Sequence, residues 1–180
     1  LVAHLDAPAV DPATTEATLV VTPQRLELPE AVADGRVVGL MAQLYQVRSR
    51  GSWGAGDLRD LADLATWAAD THRADFVLIN PLHAAEPVSP VEPSPYLPTT
   101  RRFANPLYLR VEDVPEFAAL AGPARARARA ISDAARGLNA EDRIDRDAMW
   151  TAKREALRLA FDVGLSDTRA AAFAQFCERE

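Results

Sequence analysis

The sequence predicts an α/β fold, and three consecutive segments carry this prediction. Residues 37–45 (VVGLMAQLY) form a near-continuous apolar run of the kind found in strands that are buried on both faces of a sheet. Residues 57–68 have apolar side chains at helical spacing and begin with Asp57, a favoured N-cap residue. Residues 75–80 are a second apolar run. Because this strand, helix and strand order is typical of a right-handed βαβ unit, we expect a parallel sheet.

The first 36 residues differ in composition from the rest and are rich in Ala, Pro, Thr and Asp. Their one convincing strand pattern is at residues 17–22, where Pro23 ends it. Since an isolated strand must pair with strands elsewhere, we expect residues 1–36 to be the end of an N-terminal β domain plus a linker. Residues 37–180 are expected to form the second domain. The chain starts without methionine and stops inside a helical pattern, so we expect a fragment of a longer protein.

The last third of the chain is predicted to be helical. Gly122 is followed by proline and starts a segment that Gly137 ends. Asp147 is expected to cap a helix over residues 148–161, and Ser166 is expected to cap the helix that follows.

Composition argues against several classes of function. A net charge of -6 does not suit a nucleic-acid partner, whose backbone contacts need clustered cations. No apolar run approaches the roughly 20 residues that span a bilayer, and no signal segment opens the chain, so no membrane partner is expected. The single cysteine, Cys177, fits a reducing compartment, and we expect a cytoplasmic location. No metal-ligand spacing and no phosphate-binding glycine motif occurs, so neither a metal nor a cofactor is expected.

The most informative segment is the long, proline-rich loop that follows the second predicted strand, over residues 81–106. Long connections in compact domains are usually binding or active-site loops. In a parallel sheet this loop and the glycine-rich loop at residues 48–56 follow the carboxyl ends of neighbouring strands, where α/β proteins place their ligands. We therefore expect the two loops to converge on one site.

Two side chains of the long loop are candidates for ligand contact. Tyr96 lies between Pro95 and Pro98, which restrict the backbone, so its ring can be presented rigidly as a face for a sugar ring. The alternative is a ring that only covers the proline loop. His83 directly follows the second strand, and it is either a hydrogen-bonding group near the substrate or a structural loop histidine.

Charged residues near these loops have simpler interpretations. Asp57, Asp60 and Asp63 are spaced by three, and helix capping with a favourable helix dipole explains them without catalysis or metal binding. Arg101 and Arg102 point to opposite sides of an extended segment, and the favoured interpretation is that one of them clamps the loop through a carboxylate.

Several motifs occur in a fixed order along residues 37–180. They are Gln43-Leu44-Tyr45, Ser49-Arg50-Gly51-Ser52-Trp53-Gly54-Ala55-Gly56-Asp57-Leu58, Asn80-Pro81-Leu82-His83, Ser94-Pro95-Tyr96, Arg101-Arg102-Phe103-Ala104-Asn105-Pro106, Ile144-Asp145-Arg146-Asp147-Ala148-Met149-Trp150 and Lys153-Arg154-Glu155-Ala156-Leu157. In combination they resemble the amylomaltases, the 4-α-glucanotransferases of maltodextrin metabolism.

The resemblance implies the N-terminal portion of a (β/α)8 TIM-type barrel with a helical insertion, preceded by β domains. It places Tyr96 in the subsite for the transferred glucosyl unit, with Ser94 and Asn105 supporting that wall. Shorter amylomaltases carry Ala-Phe-Ala-Gly-Asn-Pro where this chain has residues 101–106, although the spacing from Ser94 to the asparagine is the same. The implied partners are α-1,4-glucans such as maltose and maltodextrins.

The implied reaction is retaining transglycosylation, in which one carboxylate attacks the anomeric carbon and another protonates the leaving oxygen. The resemblance places these carboxylates on later barrel strands beyond Glu180, so we expect no catalytic residue in this chain and no activity of this segment alone. Two alternatives stay open. One is a glycoside hydrolase of the α-amylase clan, and the other is a noncatalytic glucan-binding module.

Overall fold

The computed structural model describes residues 21–25, 27–28, 30–33 and 35–179. The backbone divides into two compact units, residues 1–36 and residues 37–180. The first unit contains the short helix α1, Glu30–Ala33. Most of the strand predicted at residues 17–22 lies outside the described residues.

The second unit mixes helices with short strands, which confirms the α/β prediction. Its strands and helices are β1 (Gly39–Ala42), α2 (Leu58–His72), β2 (Phe76–Ile79), β3 (His83–Ala84), β4 (Thr100–Ala104), α3 (Pro115–Ala118), α4 (Gly122–Gly137), α5 (Arg146–Phe161) and α6 (Asp167–Arg179). Short 3-10 helices occur at Leu44–Gln46, Pro106–Tyr108, Val111–Asp113 and Leu138–Ala140.

The predicted strand, helix and strand unit is present. β1 and β2 pair in parallel, with Gly39 opposite Phe76 and Ala42 opposite Ile79. Helix α2 connects them and ends at His72, and the next residue, Arg73, caps it in a left-handed conformation with a φ of 52°. Both strands are shorter than predicted. β1 stops at Ala42 because the following residues turn into a 3-10 helix.

The expectation that these strands are buried on both faces is wrong for this chain. Met41 is 79% exposed, Leu78 is 54% exposed and Phe76 is 47% exposed. Within the described residues, β1 and β2 form a sheet of only two strands. A sheet of this size has too few neighbours to cover the side chains on both of its faces.

The long loop after β2 is more ordered than the sequence predicts, because a second small sheet joins its two ends. β3 and β4 are antiparallel, with His83 opposite Ala104. Beyond this pair, the Asn105 N–H donates to the Leu82 carbonyl at 2.7 Å. The proline-rich residues 85–99 therefore project as a closed loop from a short two-stranded base.

The helical region follows the predicted order, with one correction. Helix α4 begins at Gly122 and ends at Gly137, as expected. Asp147 is not the cap of α5, because Asp145 precedes the helix and accepts from the Ala148 N–H at 2.9 Å. Asp147 instead accepts from the Val91 N–H at 2.9 Å, so it ties the long loop to α5.

Two apolar clusters place the loops against the helices. Trp53 of the glycine-rich loop packs with Val111 and with residues of α4 and α5, whereas Ala55 packs with Leu107 and Met149. The glycine-rich loop therefore contributes to both clusters, which fixes its position relative to the long loop.

Candidate functional site

Asn80 joins the carboxyl ends of the two parallel strands. It directly follows β2 and is only 3% exposed. Its Oδ1 accepts from the Leu44 N–H at 2.7 Å, and its Nδ2 donates to the Pro81 carbonyl and to the Tyr108 hydroxyl, each at 2.9 Å. One buried amide thus connects β1, β2 and the segment after β4. The signal in the sequence was a polar residue at the end of an apolar run.

Close approach of the glycine-rich loop to the end of β1 requires glycine at position 56. A Cβ on Gly56 would lie 2.0 Å from the Leu44 carbonyl oxygen and 2.2 Å from that of Val47, distances that no side chain tolerates. The Gly56 N–H donates to the Tyr45 carbonyl at 3.2 Å. Ala55 and Gly56 also line a crevice together with residues of the long loop, so the two predicted loops meet at the carboxyl end of the parallel sheet, as expected.

Three of the predicted site residues, His83, Ser94 and Asn105, line one crevice between these loops. Other side chains in its wall are those of Tyr45, Glu92, Tyr108, Arg146 and Met149. The cavity volume is about 30 Å³. Because ordinary ligand pockets measure roughly 300–1,000 Å³, the crevice is far too small for a whole sugar unit.

Tyr96, the fourth predicted residue, lies next to the crevice without lining it. Its side chain is 59% exposed. Ser94 shapes this turn, because its Oγ accepts from the Tyr96 N–H at 3.3 Å while Glu92 accepts from the Ser94 N–H at 2.8 Å. The Tyr96 hydroxyl lies 3.5 Å from Gln43 Nε2, just beyond the end of β1. An aromatic face is therefore presented to solvent over the carboxyl end of the sheet.

Asn105 holds the far side of the loop in place. Its Oδ1 accepts from the Leu107 N–H at 3.0 Å and caps the short helix Pro106–Tyr108. This helix brings Leu107 and Tyr108 into buried positions behind the crevice.

Lys153 supports the same segment from α5. It is the only lysine of the sequence and is 1% exposed. Its Nζ donates to the Leu107 carbonyl at 2.5 Å and to the Leu109 carbonyl at 2.8 Å. Burial lowers the pKa of Lys153 to about 8, because the apolar surroundings disfavour the charged amine. Sequence reasoning missed this role, although a single lysine among 20 basic residues was a usable signal.

Asp57 and Asp60 act as helix caps, as predicted. Asp57 accepts from the Arg59 and Asp60 N–H groups, and Asp60 accepts from the Asp57 N–H. Both carboxylates are also buried and paired with Arg110, at 2.5 Å from Nε to Asp57 and 2.9 Å from Nη2 to Asp60. Although burial opposes it, the bonds and charges of these carboxylates raise the pKa of Arg110. Neither aspartate lines the crevice, so the pair is structural.

Arg101 and Arg102 both lie in β4, and both are exposed. The Arg102 guanidinium lies 5.9 Å from the centre of the Phe103 ring. The interpretation of one of them as a loop clamp stays a prediction.

The chemistry of the crevice suits binding better than bond cleavage. Glycoside cleavage by the usual mechanism needs two carboxyl groups about 5–10 Å apart. Of the described side chains that line the crevice, Glu92 is the one carboxylate, and it accepts from a backbone N–H. The described part of the chain holds no group of three or more metal-ligating residues that could bind an ion. None of its helices is long and apolar enough to cross a bilayer.

Known proteins that resemble this chain belong to one family. The family model described as 4-alpha-glucanotransferase matches residues 42–180. A 4-alpha-glucanotransferase of Mycobacterium tuberculosis is 52% identical over 171 residues, which cover 91% of this chain and 23% of that protein. A 4-alpha-glucanotransferase of Haemophilus influenzae is 42% identical over 99 residues, 55% of this chain and 14% of that protein.

Among solved structures, the amylomaltase from Corynebacterium glutamicum aligns with a TM-score of 0.74 at 48% sequence identity. The alignment covers 79% of this chain and 20% of that chain. The chain thus spans about a quarter or less of the length of these relatives. The sequence match and the structural match agree, and the chain belongs to the 4-alpha-glucanotransferase family.

Proposed function

We propose that this chain supplies one wall of the glucan-binding site of an enzyme that transfers α-1,4-glucan segments between maltodextrins. The observation that carries the proposal is the position of Tyr96. Its exposed ring lies over the carboxyl end of a parallel sheet, beside a polar crevice, in a member of the 4-alpha-glucanotransferase family.

The proposed roles of the four site residues follow from their contacts. Tyr96 offers a face for a glucose ring, and Ser94 fixes the turn that presents it. Asn105 caps the short helix behind the crevice. His83 lines the crevice at the base of the loop, and its imidazole can donate to or accept from a sugar hydroxyl there. Together they form a surface that orients a glucan and does not cut it.

We further propose that residues 37–180 are the first part of a (β/α)8 barrel with inserted helices. The parallel βαβ unit supports this, and so do the exposed apolar side chains of Met41, Leu78 and Phe76, which additional strands would cover. Residues 1–36 are then the end of a preceding β domain. The cytoplasmic location and the lack of a nucleic-acid partner stay predictions from composition.

The reaction in this proposal is a retaining double displacement. A carboxylate displaces the leaving glucan from the anomeric carbon to form a glycosyl-enzyme, while a second carboxyl group protonates the leaving oxygen. A hydroxyl of a second glucan then gives its proton back to that second group and displaces the first carboxylate. The carboxyl groups that do this are assigned to parts of the protein outside these 180 residues. The present chain alone is therefore expected to be inactive.

The test is product analysis with maltotriose as substrate of the full-length protein. Transfer yields glucose together with dextrins longer than maltotriose, while the total of reducing ends stays nearly constant. A steady rise in reducing ends would instead identify a hydrolase. Retention on immobilised starch without any product would identify a noncatalytic binding module. In the same assay, residues 1–180 alone should give no product.

A further inference from the structure

We infer that the Tyr108 hydroxyl donates a hydrogen bond to the hydroxymethyl oxygen of a bound glucose unit, which enters the crevice while its ring stays outside. This inference rests on the proposed function and adds a residue to the proposed site. Neither the sequence pattern nor the resemblance assigned Tyr108 a role.

The hydrogen bonds of Asn80 leave Tyr108 with a proton to donate. A backbone N–H can only donate, so the bond from Leu44 fixes the carbonyl end of the Asn80 amide. The opposite end, Nδ2, must then donate to the Tyr108 oxygen at 2.9 Å. No described residue accepts the Tyr108 hydroxyl proton. The tyrosine is 9% exposed and its side chain lines the crevice, so the crevice is where an acceptor can meet this proton.

Tyr108 remains a donor at neutral pH. Burial raises the pKa of its hydroxyl above the usual value for tyrosine because the phenolate would lose hydration, although the bond from Asn80 acts in the opposite direction. The group is therefore protonated whenever a glucan is offered.

The size of the crevice selects the part of the sugar that can enter. A cavity volume of about 30 Å³ is far below the roughly 300–1,000 Å³ of ordinary ligand pockets, so only a small substituent of a sugar can enter. A hydroxymethyl group consists of one carbon and one oxygen and extends from the ring, whereas the hydroxyls at carbons 2 and 3 are attached directly to it. Only the hydroxymethyl group can therefore reach into the crevice without bringing the ring along.

The lining is chemically matched to such a group. Leu107, Met149 and Ala55 give an apolar surface for the methylene carbon. Tyr108 supplies a donor, and the side chains of Glu92 and Asn105 contain oxygens that can accept from the sugar hydroxyl. Both hydrogen-bonding capacities of one hydroxyl are then satisfied.

Two donor substrates that differ only in the hydroxymethyl group test this contact in the full-length enzyme. α-Glucosyl fluoride carries the group, α-xylosyl fluoride lacks it, and fluoride release with maltose as acceptor gives kcat/KM for each. We expect Tyr108→Phe to lower kcat/KM for glucosyl fluoride by about 2- to 12-fold, the range for one lost hydrogen bond, and to leave xylosyl fluoride unchanged. An equal fall for both donors, or no fall for either, would overturn the inference.

Ile131→Val is the matched control for stability. Ile131 belongs to the other apolar cluster, and losing one methylene there costs a stability comparable with that of one hydrogen bond. This variant should keep the wild-type ratio of kcat/KM for glucosyl fluoride to kcat/KM for xylosyl fluoride. If the kcat/KM ratio changed in Ile131→Val, it would depend on protein stability, and the assigned contact between Tyr108 and the hydroxymethyl group would be overturned.

The test also separates this inference from the proposed function. If the wild-type enzyme transfers glucosyl units from neither maltotriose nor the fluoride, the proposed function fails. If it transfers them normally and Tyr108→Phe slows both donors equally, only the role of Tyr108 fails. Should Tyr108→Phe not fold, 6-deoxy-α-glucosyl fluoride with the wild-type enzyme replaces it. It should react about 2- to 12-fold more slowly than glucosyl fluoride, and equal rates would overturn the inference.

Discussion

Asn80 Oδ1 lies 2.7 Å from the main-chain nitrogen of Leu44, and this bond joins the carboxyl ends of β1 and β2. The same side chain reaches Tyr108, so the relative position of the two loops depends on one buried amide. Parallel strands have no tight turn between them, and contacts of this kind therefore fix how their carboxyl ends are arranged.

Replacing Asn80 should loosen the end of β1. Asn80→Leu has a similar volume but leaves the Leu44 N–H unpaired, which costs about 1–3 kcal/mol locally. Hydrogen exchange at the Leu44 amide should therefore become faster, as measured by mass spectrometry on the peptide that contains it. Asn80→Asp keeps the acceptor oxygen and is the matched control. Equal exchange in the Leu and Asp variants would contradict the proposed importance of this bond.

Arg110 should be indispensable to the fold around α2. It neutralises the buried carboxylates of Asp57 and Asp60, and removing one partner of a buried ion pair costs about 3–5 kcal/mol. Arg110→Met should therefore lower the urea midpoint of unfolding strongly. Arg110→Lys should recover only part of the loss, because one ammonium cannot reproduce two bonds from Nε and Nη2. Full recovery in the lysine variant would show that charge alone matters.

Lys153 should make stability depend on pH in the alkaline range. The pKa of Lys153 is about 8 in the folded chain and 10.5 in the unfolded chain. Between these pH values the unfolded chain therefore holds a proton that the folded chain has released. The contribution of Lys153 to the free energy of unfolding therefore rises between about pH 8 and pH 10.5, by roughly 3 kcal/mol. Over this pH range the unfolding free energy of wild type should therefore increase relative to that of Lys153→Met. A difference independent of pH would show that the pKa of Lys153 is not depressed.

Local chemistry explains which parts of the fold were predictable. The cap at Asp57 and the stop at Gly137 depend on neighbouring residues, and both appear where expected. Asp147 was assigned wrongly as a cap because its partner, Val91, lies 56 residues away. Burial of the strands was also mispredicted, because it depends on how many strands pair beside them, which the residues of the strands themselves do not determine.

The site was predictable to a similar degree. The sequence pattern indicated His83 and Tyr96, and the family resemblance added Ser94 and Asn105. The structure brings three of these four into one crevice, with Tyr96 beside it. It could not indicate that the crevice is too narrow for a sugar ring, since that width depends on packing between separate segments. Their roles toward a glucan stay predictions until a ligand is tested.

The most direct test of the proposed glucan wall is the kcat/KM of the full-length enzyme for maltotriose in Tyr96→Ala, with Tyr96→Phe as the control. Loss of a stacking surface worth about 1 kcal/mol or more should lower kcat/KM by about fivefold or more in the alanine variant. Tyr96→Phe retains the ring and should stay within about twofold of wild type, because its hydroxyl makes only a long contact of 3.5 Å with Gln43. Wild-type kcat/KM in Tyr96→Ala would contradict the assignment and leave Tyr96 as a cover for the proline loop.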